Sequence, residues 1–127
     1  NSVILYIVTS SVILKNSRED MEFTLETMDS ALEYEGDLKA QAEKFTRAAS
    51  LNNSRLTIIR PDGVVEADTG VRDASELDNH MQREEIQEAL QDGVGDARRR
   101  SKTLGQEMLY VAIQSSYSDC ILRLAAG

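Results

Sequence analysis

The sequence predicts an α+β domain in which one or two N-terminal helices and a later short helix pack on an antiparallel β-sheet. Three observations predict it. Apolar residues recur at helical spacing up to about residue 50. From residue 54 the period shortens to that of extended chain, and one helical excursion, "REEIQEALQDG", then interrupts the strand-like runs. A chain of 127 residues, 41% apolar and 28% charged with one proline, has the size and composition of one domain with its own core. The change of period divides it into a helical segment, residues 1–53, and a sheet segment, residues 54–127.

Taken in order, residues 2–14, "SVILYIVTSSVIL", carry no charge and then meet Lys15, Arg18, Glu19 and Asp20. The run is shorter than the eighteen or so apolar residues of a full membrane span. It reads either as a buried strand or helix of the domain or as the outer end of a truncated transmembrane helix. The first residue is Asn1 and not methionine, which suggests a piece of something longer. Met21, Leu25, Met28 and Leu32 follow at spacings of four, three and four, one stripe of a helix. Gly36 is expected to end that helix and Asp37 to cap the next, whose stripe is Leu38, Ala42, Phe45 and Ala49. Such narrow stripes suit packing on the domain's own sheet or a seam against a second subunit.

"RLTIIRPDGVVEAD" reads as a hairpin, residues 56–59 and 64–67 joined by Pro61-Asp62-Gly63. "TGVRDASELDNH" is then a long polar loop of the kind that carries function. The short helix has Ile86, Ala89 and Leu90 on its inner face and stops at Gly93. A strand through residues 98–102 would place Arg98, Arg100 and Lys102 on one face and Arg99 and Ser101 on the other. Only one set can face inward; the other is the solvated charge of an edge strand. Two more strands, near residues 107–115 and 120–125, turn through "SYSD". In the first, Met108, Tyr110 and Ala112 share one face and Leu109, Val111 and Ile113 the other. Both faces are apolar, which predicts a central strand.

The net charge of -8 and a pI near 4.6 exclude general affinity for nucleic acid or anionic membrane surfaces. One cysteine and one histidine are too few for a hydrolytic triad, a redox dithiol or a metal cage. Cys120, in a strand-like run, is expected to be an inert apolar thiol rather than the partner of His80 in a nucleophilic pair. "DGVGDA" lacks the spacing and lysine of a phosphate loop, and Glu84, Glu85 and Asp119 read as solvated acids. No cofactor is expected. His80, at the end of the long loop, could cap the helix, contact the sheet, report acidity, or ligate a metal with Asp73, Glu76 or Asp78.

From Arg55 onward the chain resembles the extracytoplasmic sensor domain of membrane sensor histidine kinases of the phosphate-regulon-sensor (PhoR-like) type. The residues that carry the resemblance are "TIIRPDGVVEADT", "ELDNHMQREEIQEALQDGVGDARRRSKTLGQEMLYVAI" and "CILRL". The family's Asp-Gly, Ala-Asp-Ser, Asn-His, Arg-Tyr-Ser and Tyr-strand features fall on Asp62-Gly63, Ala67-Asp68, Asn79-His80, Arg100-Ser101 and Tyr110. Thr69 stands where the pattern has serine, and Arg99 where it has an aromatic. The resemblance implies a PAS-like, single-Cache fold with a loop-and-helix lid and a long N-terminal helix leaving the membrane. It also implies a non-catalytic extracytoplasmic domain that senses a small-molecule or protein signal for a histidine kinase. It points to Asp68, His80, Arg100, Ser101 and Tyr110 as ligand-site residues, and to a homodimer through the helix of Met21, Leu25, Met28 and Leu32. A chemoreceptor or cyclic-dinucleotide enzyme downstream, or a purely structural dimerisation role, is the alternative.

Overall fold

The computed structural model describes residues 2–51, 53–101 and 105–127, with side chains from Ser17 onward. The elements are α1 (Ser2–Ala31), α2 (Leu38–Ala48), β1 (Ser54–Ile59), β2 (Val65–Asp68), a 3-10 turn (Ala74–Glu76), α3 (Glu84–Asp92), β3 (Val94–Arg100), β4 (Glu107–Gln114) and β5 (Ile121–Ala126). The five strands form one antiparallel sheet in the order β2-β1-β5-β4-β3, so the last strand inserts between the first and the fourth. The predicted α+β architecture, helices packed on an antiparallel sheet, is the observed one.

The apolar stripe of α1 is spent on this sheet. Met21, Leu25 and Met28 are buried with Leu38 and Ala42 of α2 against Leu56, Ile58, Ala67, Val111, Ile113, Leu122 and Leu124, and Leu32 packs at the edge. Each fully buried leucine or methionine contributes about 2 kcal/mol. The stripe is therefore not a dimer seam: Leu25 and Met28 are already out of water within one chain. Residues from both sides of the 53/54 division share this core. Residues 2–14 continue α1 as helix, which removes the strand reading of that run. Among the described residues no helix is long and apolar enough to cross a membrane.

Several boundaries differ from expectation for identifiable reasons. Helix α1 ends at Ala31, five residues before Gly36, because Gln41 of α2 reaches back to donate to the Glu33 carbonyl (3.0 Å) and accept from its amide (2.8 Å). Asp37 does cap α2, accepting from the Ala40 amide at 3.1 Å. Strand β3 starts at Val94, earlier than expected, directly after the left-handed C-cap Gly93 (φ 88°). In α3 the inner face is Glu85, Ile86 and Ala89, and Leu90 is 36% exposed.

Strand register sorts the side chains. Leu56, Ile58, Leu122, Leu124, Leu109 and Val111 face α1 and α2. On the opposite face a single row crosses all five strands: Asp68, Thr57, Arg123, Ala112 and Gly95 are successive cross-strand partners. The polar half of this row faces the lid loop, residues 69–83. The small half lets α3 in: a Cβ on Gly95 would lie 2.3 Å from the Glu85 carbonyl oxygen and 2.8 Å from the Ala89 amide nitrogen. Close approach of the α3 backbone thus requires glycine at 95, and it hangs the Glu85 side chain over the strands.

Candidate functional site

The lid loop is held at both ends. Near its start, the Lys39 ammonium of α2 donates to the carbonyls of Val71 and of Arg72, the latter at 2.6 Å. Thr69 takes over the end of β1, its hydroxyl accepting from the Leu56 amide at 3.0 Å. At the far end, the Asn79 amide group donates to the Asp62 carbonyl (2.9 Å), and the His80 backbone amide donates to the Gly63 carbonyl (2.8 Å). The Asp62-Gly63 turn and the Asn79-His80 pair, separate motifs in sequence, are thus one joint. Gly63 has φ 88°, and its missing Cβ is the space the Asn79 side chain occupies.

Under this lid a continuous hydrogen-bonded chain of charged groups crosses the sheet. Arg55 Nε donates to Asp68 Oδ1 at 2.7 Å, and Thr57 Oγ1 donates to Asp68 Oδ2 at 2.8 Å. Arg123 Nη2 donates to Thr57 Oγ1 at 3.2 Å, and Nη1 to Glu85 Oε2 at 3.1 Å. Arg99 closes the chain with a two-pronged fork on Glu85, Nη1 to Oε1 at 2.6 Å and Nη2 to Oε2 at 2.8 Å. Both guanidinium groups lie over the Tyr110 ring, Arg99 at 3.8 Å and Arg123 at 5.1 Å from its centroid. Glu85 is 0% exposed and Arg123 3%. Burial alone would raise the Glu85 carboxyl, but the Arg99 hydrogen bonds and the Arg123 charge outweigh it and hold it below the usual carboxylate range. Burial pulls the Arg123 guanidinium down against the attraction of Glu85, and a guanidinium remains protonated at neutral pH regardless.

Of the residues proposed from sequence, Asp68, His80 and Tyr110 do meet on this face. Arg100 does not. The alternation of the arginine cluster is as read, but the inward member is Arg99; Arg98 and Arg100 are exposed on the α1 side, where Asp96 pairs with Arg18 at 3.7 Å. The Asp68 oxygens are taken by Arg55, Thr57 and the Gly70 amide. Ser101 instead closes the β3–β4 connection, its amide donating to the Gln106 carbonyl at 2.8 Å. Glu85, read as solvated, is the hub, and Arg123, Thr57 and Arg55 were not singled out. The signal for Arg123 was present: a lone arginine in the apolar run "CILRLAA" sits, by alternation, with Ile121 and Ala125 on an interior face.

Asp68, Thr57, Glu85, Arg123 and His80 are all buried between lid and sheet. Two clefts among the described residues, of about 400 and 410 Å³, lie on the other side, one beside α1 near Met21 and Leu124, one between α1 and α2 at Leu32 and Phe45. No group of three or more His, Cys, Asp or Glu side chains among the described residues is placed to hold a metal. Asp73 is occupied in capping the 3-10 turn, accepting from the Ser75 amide and hydroxyl. Cys120 is half-buried just ahead of β5, and burial pushes its thiol up, away from the reactive thiolate.

His80 is buried, its Nδ1 2.7 Å from the Asp78 carbonyl oxygen. Burial, reinforced by the charge of Arg123, pulls its imidazole down to about 4. The fold therefore prefers neutral His80, and the stabilisation is complete above pH 6.5 and lost as pH falls from 6.5 towards 4. Chemical denaturation at pH 7 and pH 4.5 should show about 2 kcal/mol of acid destabilisation that His80→Gln lacks; identical pH slopes in the two proteins would place the proton uptake elsewhere.

Compared with protein-family models and with curated protein sequences, the chain matches none. Solved structures do match. The Bacillus subtilis YkuI protein, which has an EAL domain and was solved with its substrate c-di-GMP and calcium, superposes on 97% of this chain with a TM-score of 0.68 at 8% identity. The extracellular domain assigned to a histidine kinase, rpHK1S-Z16, matches over 66% of this chain with a TM-score of 0.48 at 13% identity. This chain spans about a third of each of those chains, 35% and 36%. The YkuI superposition shows the fold.

Proposed function

We propose that this chain is the signal-input domain of a bacterial two-component sensor histidine kinase, lying on the extracytoplasmic side of the membrane and performing no chemistry itself. One observation carries the reading: the sheet has a lid side built around a buried charged chain and a helix side bonded to α1, and both meet in the same strands. Arg123 of the central strand holds Glu85 of α3, while its neighbours Leu122 and Leu124 pack under α1. The far end of α1 is fastened to the β4–β5 turn, where Asp29 accepts from the Ser115 hydroxyl (2.6 Å) and the Ser116 amide (2.8 Å). A shift of α3 thus has a packed path to a helix of 30 residues, about 45 Å long. A ligand or partner protein acts by favouring one arrangement of that path over another. Among the described residues of α1, the face open to a homodimer is the one that carries Phe23, which is 70% exposed, the opposite stripe being buried.

Gly95→Ala tests this. The added methyl meets α3 backbone, which cannot swing aside as a side chain could, so α3 must lift from the sheet. With α1 joined in register to the membrane helix and kinase core of a receptor, the variant should keep its circular dichroism and change basal autophosphorylation severalfold; unchanged output from a folded variant would sink the proposal. A second reading keeps the input role and attaches the domain to a cyclic-dinucleotide enzyme. It is favoured by the superposition on YkuI; a Gly95→Ala variant that changes cyclic-dinucleotide turnover rather than autophosphorylation would select it.

A further inference from the structure

We propose that the Arg99–Arg123 pair is a carboxylate-binding site that Glu85 occupies in the resting fold, and that a small carboxylate-bearing ligand acts by taking the place of Glu85 and releasing α3. The inference rests on the sensing role and gives its ligand a chemical class.

Four observations carry it. The hydrogen-bonded chain contains three guanidiniums, Arg55, Arg99 and Arg123, but two carboxylates, Asp68 and Glu85. Cations thus outnumber carboxylates by one within this hydrogen-bonded chain, and Arg123, at 4% side-chain exposure, is the one of the three shut off from water, Arg55 and Arg99 being 38% and 34% exposed. Second, Arg123 Nε is buried and has no hydrogen-bond partner, although the rest of the guanidinium is engaged. A buried cationic donor without an acceptor is costly, and a ligand oxygen would relieve that cost where Glu85, held from α3, does not reach. Third, the fork of Arg99 on Glu85 has the planar two-point geometry that guanidinium makes with any carboxylate, so the site already displays the group it selects. Fourth, both guanidiniums lie against the Tyr110 ring. Arg123, 4% exposed at its side chain, stays enclosed when Glu85 departs, and Arg99, 34% exposed, can turn towards water and gives an incoming anion its point of entry.

Glu85 therefore acts as a built-in competitor. It is attached to α3, whose seat depends on the Gly95 contact, so exchanging one carboxylate for another exchanges a tethered group for a free one. Charge at the fork is conserved while α3 loses its anchor.

The test follows the arginine Nε–H and α3 amide signals by nitrogen-15 NMR during titration with sodium acetate and sodium malonate, at ionic strength held constant with sodium chloride. Wild-type protein should give weak, saturable shifts at Arg123 Nε–H and along α3. Glu85→Gln, which keeps size but withdraws the competing charge, should bind the same anions at least tenfold more tightly, and Arg99→Gln in that background should abolish the gain. Should Glu85→Gln fail to fold, Glu85→Asp, with a shorter reach to the fork, serves in its place and should also bind more tightly than wild type. Equal affinities in wild type and variant, shifts reproduced by chloride, or shifts with inorganic phosphate but not with carboxylates would each overturn the proposal. If carboxylates bind as expected but leave the output of a receptor unchanged, the site stands and the sensing role falls. If Gly95→Ala alters output while no carboxylate binds, the sensing role stands and this ligand class falls.

Discussion

Glu85→Ala is expected to cost the fold about 4 kcal/mol, and Glu85→Gln about 3 kcal/mol, measured by urea denaturation at pH 7. The reason is asymmetric. Removing one member of a buried ion pair leaves its partner charged and desolvated, which costs more than the pair contributed while intact. Here one carboxylate serves two guanidiniums, and they differ in their escape routes. Arg99 is one-third exposed and can turn towards water, whereas Arg123 is enclosed between the central strand and α3. The larger part of the loss therefore resides in Arg123. It follows that Glu85→Leu combined with Arg123→Met should be more stable than either single variant, with a double-mutant coupling of about 2 kcal/mol. Because the pair is buried, the effect should change little between 0.05 and 0.5 M salt, as surface pairs do not. A Glu85→Gln protein within about 1 kcal/mol of wild type would mean that the carboxylate is solvated and that the charged chain does not organise the lid face.

The α+β layout was legible because it depends on local period. The stripes of α1 and α2, the Asp62-Gly63 turn and the Gly93 stop each follow from residues within a few positions of one another. The residues of the site were legible only in part, and through the family resemblance rather than through local period. Asp68, His80 and Tyr110 were placed near it, but its centre joins Glu85 to Arg99 and Arg123, 14 and 38 residues away. An acid beside another acid at a helix start reads as solvated, and only the depth to which Gly95 admits α3 reverses that for Glu85. The choice between Arg99 and Arg100 turned on a single step of strand parity. Both faces of β4 are apolar, so the neighbouring strand could not tell which parity faces the lid. The arginine in "CILRLAA" was the better clue, since a cation in the middle of an apolar strand requires a buried acid somewhere. The end of α1 was missed for a related reason: what stops it is Gln41 and the Asp29 network, contacts across space rather than a glycine in line.

Asp29→Ala is expected to cost about 3 kcal/mol, since it strips the acceptor from three donors at once. The Tyr34 and Ser115 hydroxyls share Oδ1, and the Ser116 amide takes Oδ2 at 2.8 Å. Ser115 in turn accepts from the amides of Tyr117 (3.0 Å) and Ser118 (2.9 Å), so the whole β4–β5 turn is organised around one carboxylate from α1. Burial, together with the hydrogen bond to Asp29, pushes the Tyr34 hydroxyl up, so it stays a donor at any physiological pH. Tyr34→Phe removes one of the three bonds and should cost about 1 kcal/mol. Asn at 29 keeps the shape but turns an amino group towards donors, and should fall between the two. The functional consequence separates this network from the lid. Asp29 lies on the α1 side and touches none of Glu85, Arg99 or Arg123, so Asp29→Asn should leave Arg123 Nε–H and the α3 amides at their wild-type NMR positions. In a receptor the same variant should weaken the response to Gly95→Ala, because the β4–β5 turn no longer holds α1. A variant that retains full response while losing the Asp29 bonds would show that motion reaches α1 through the packed core of Met21, Leu25 and Met28 alone.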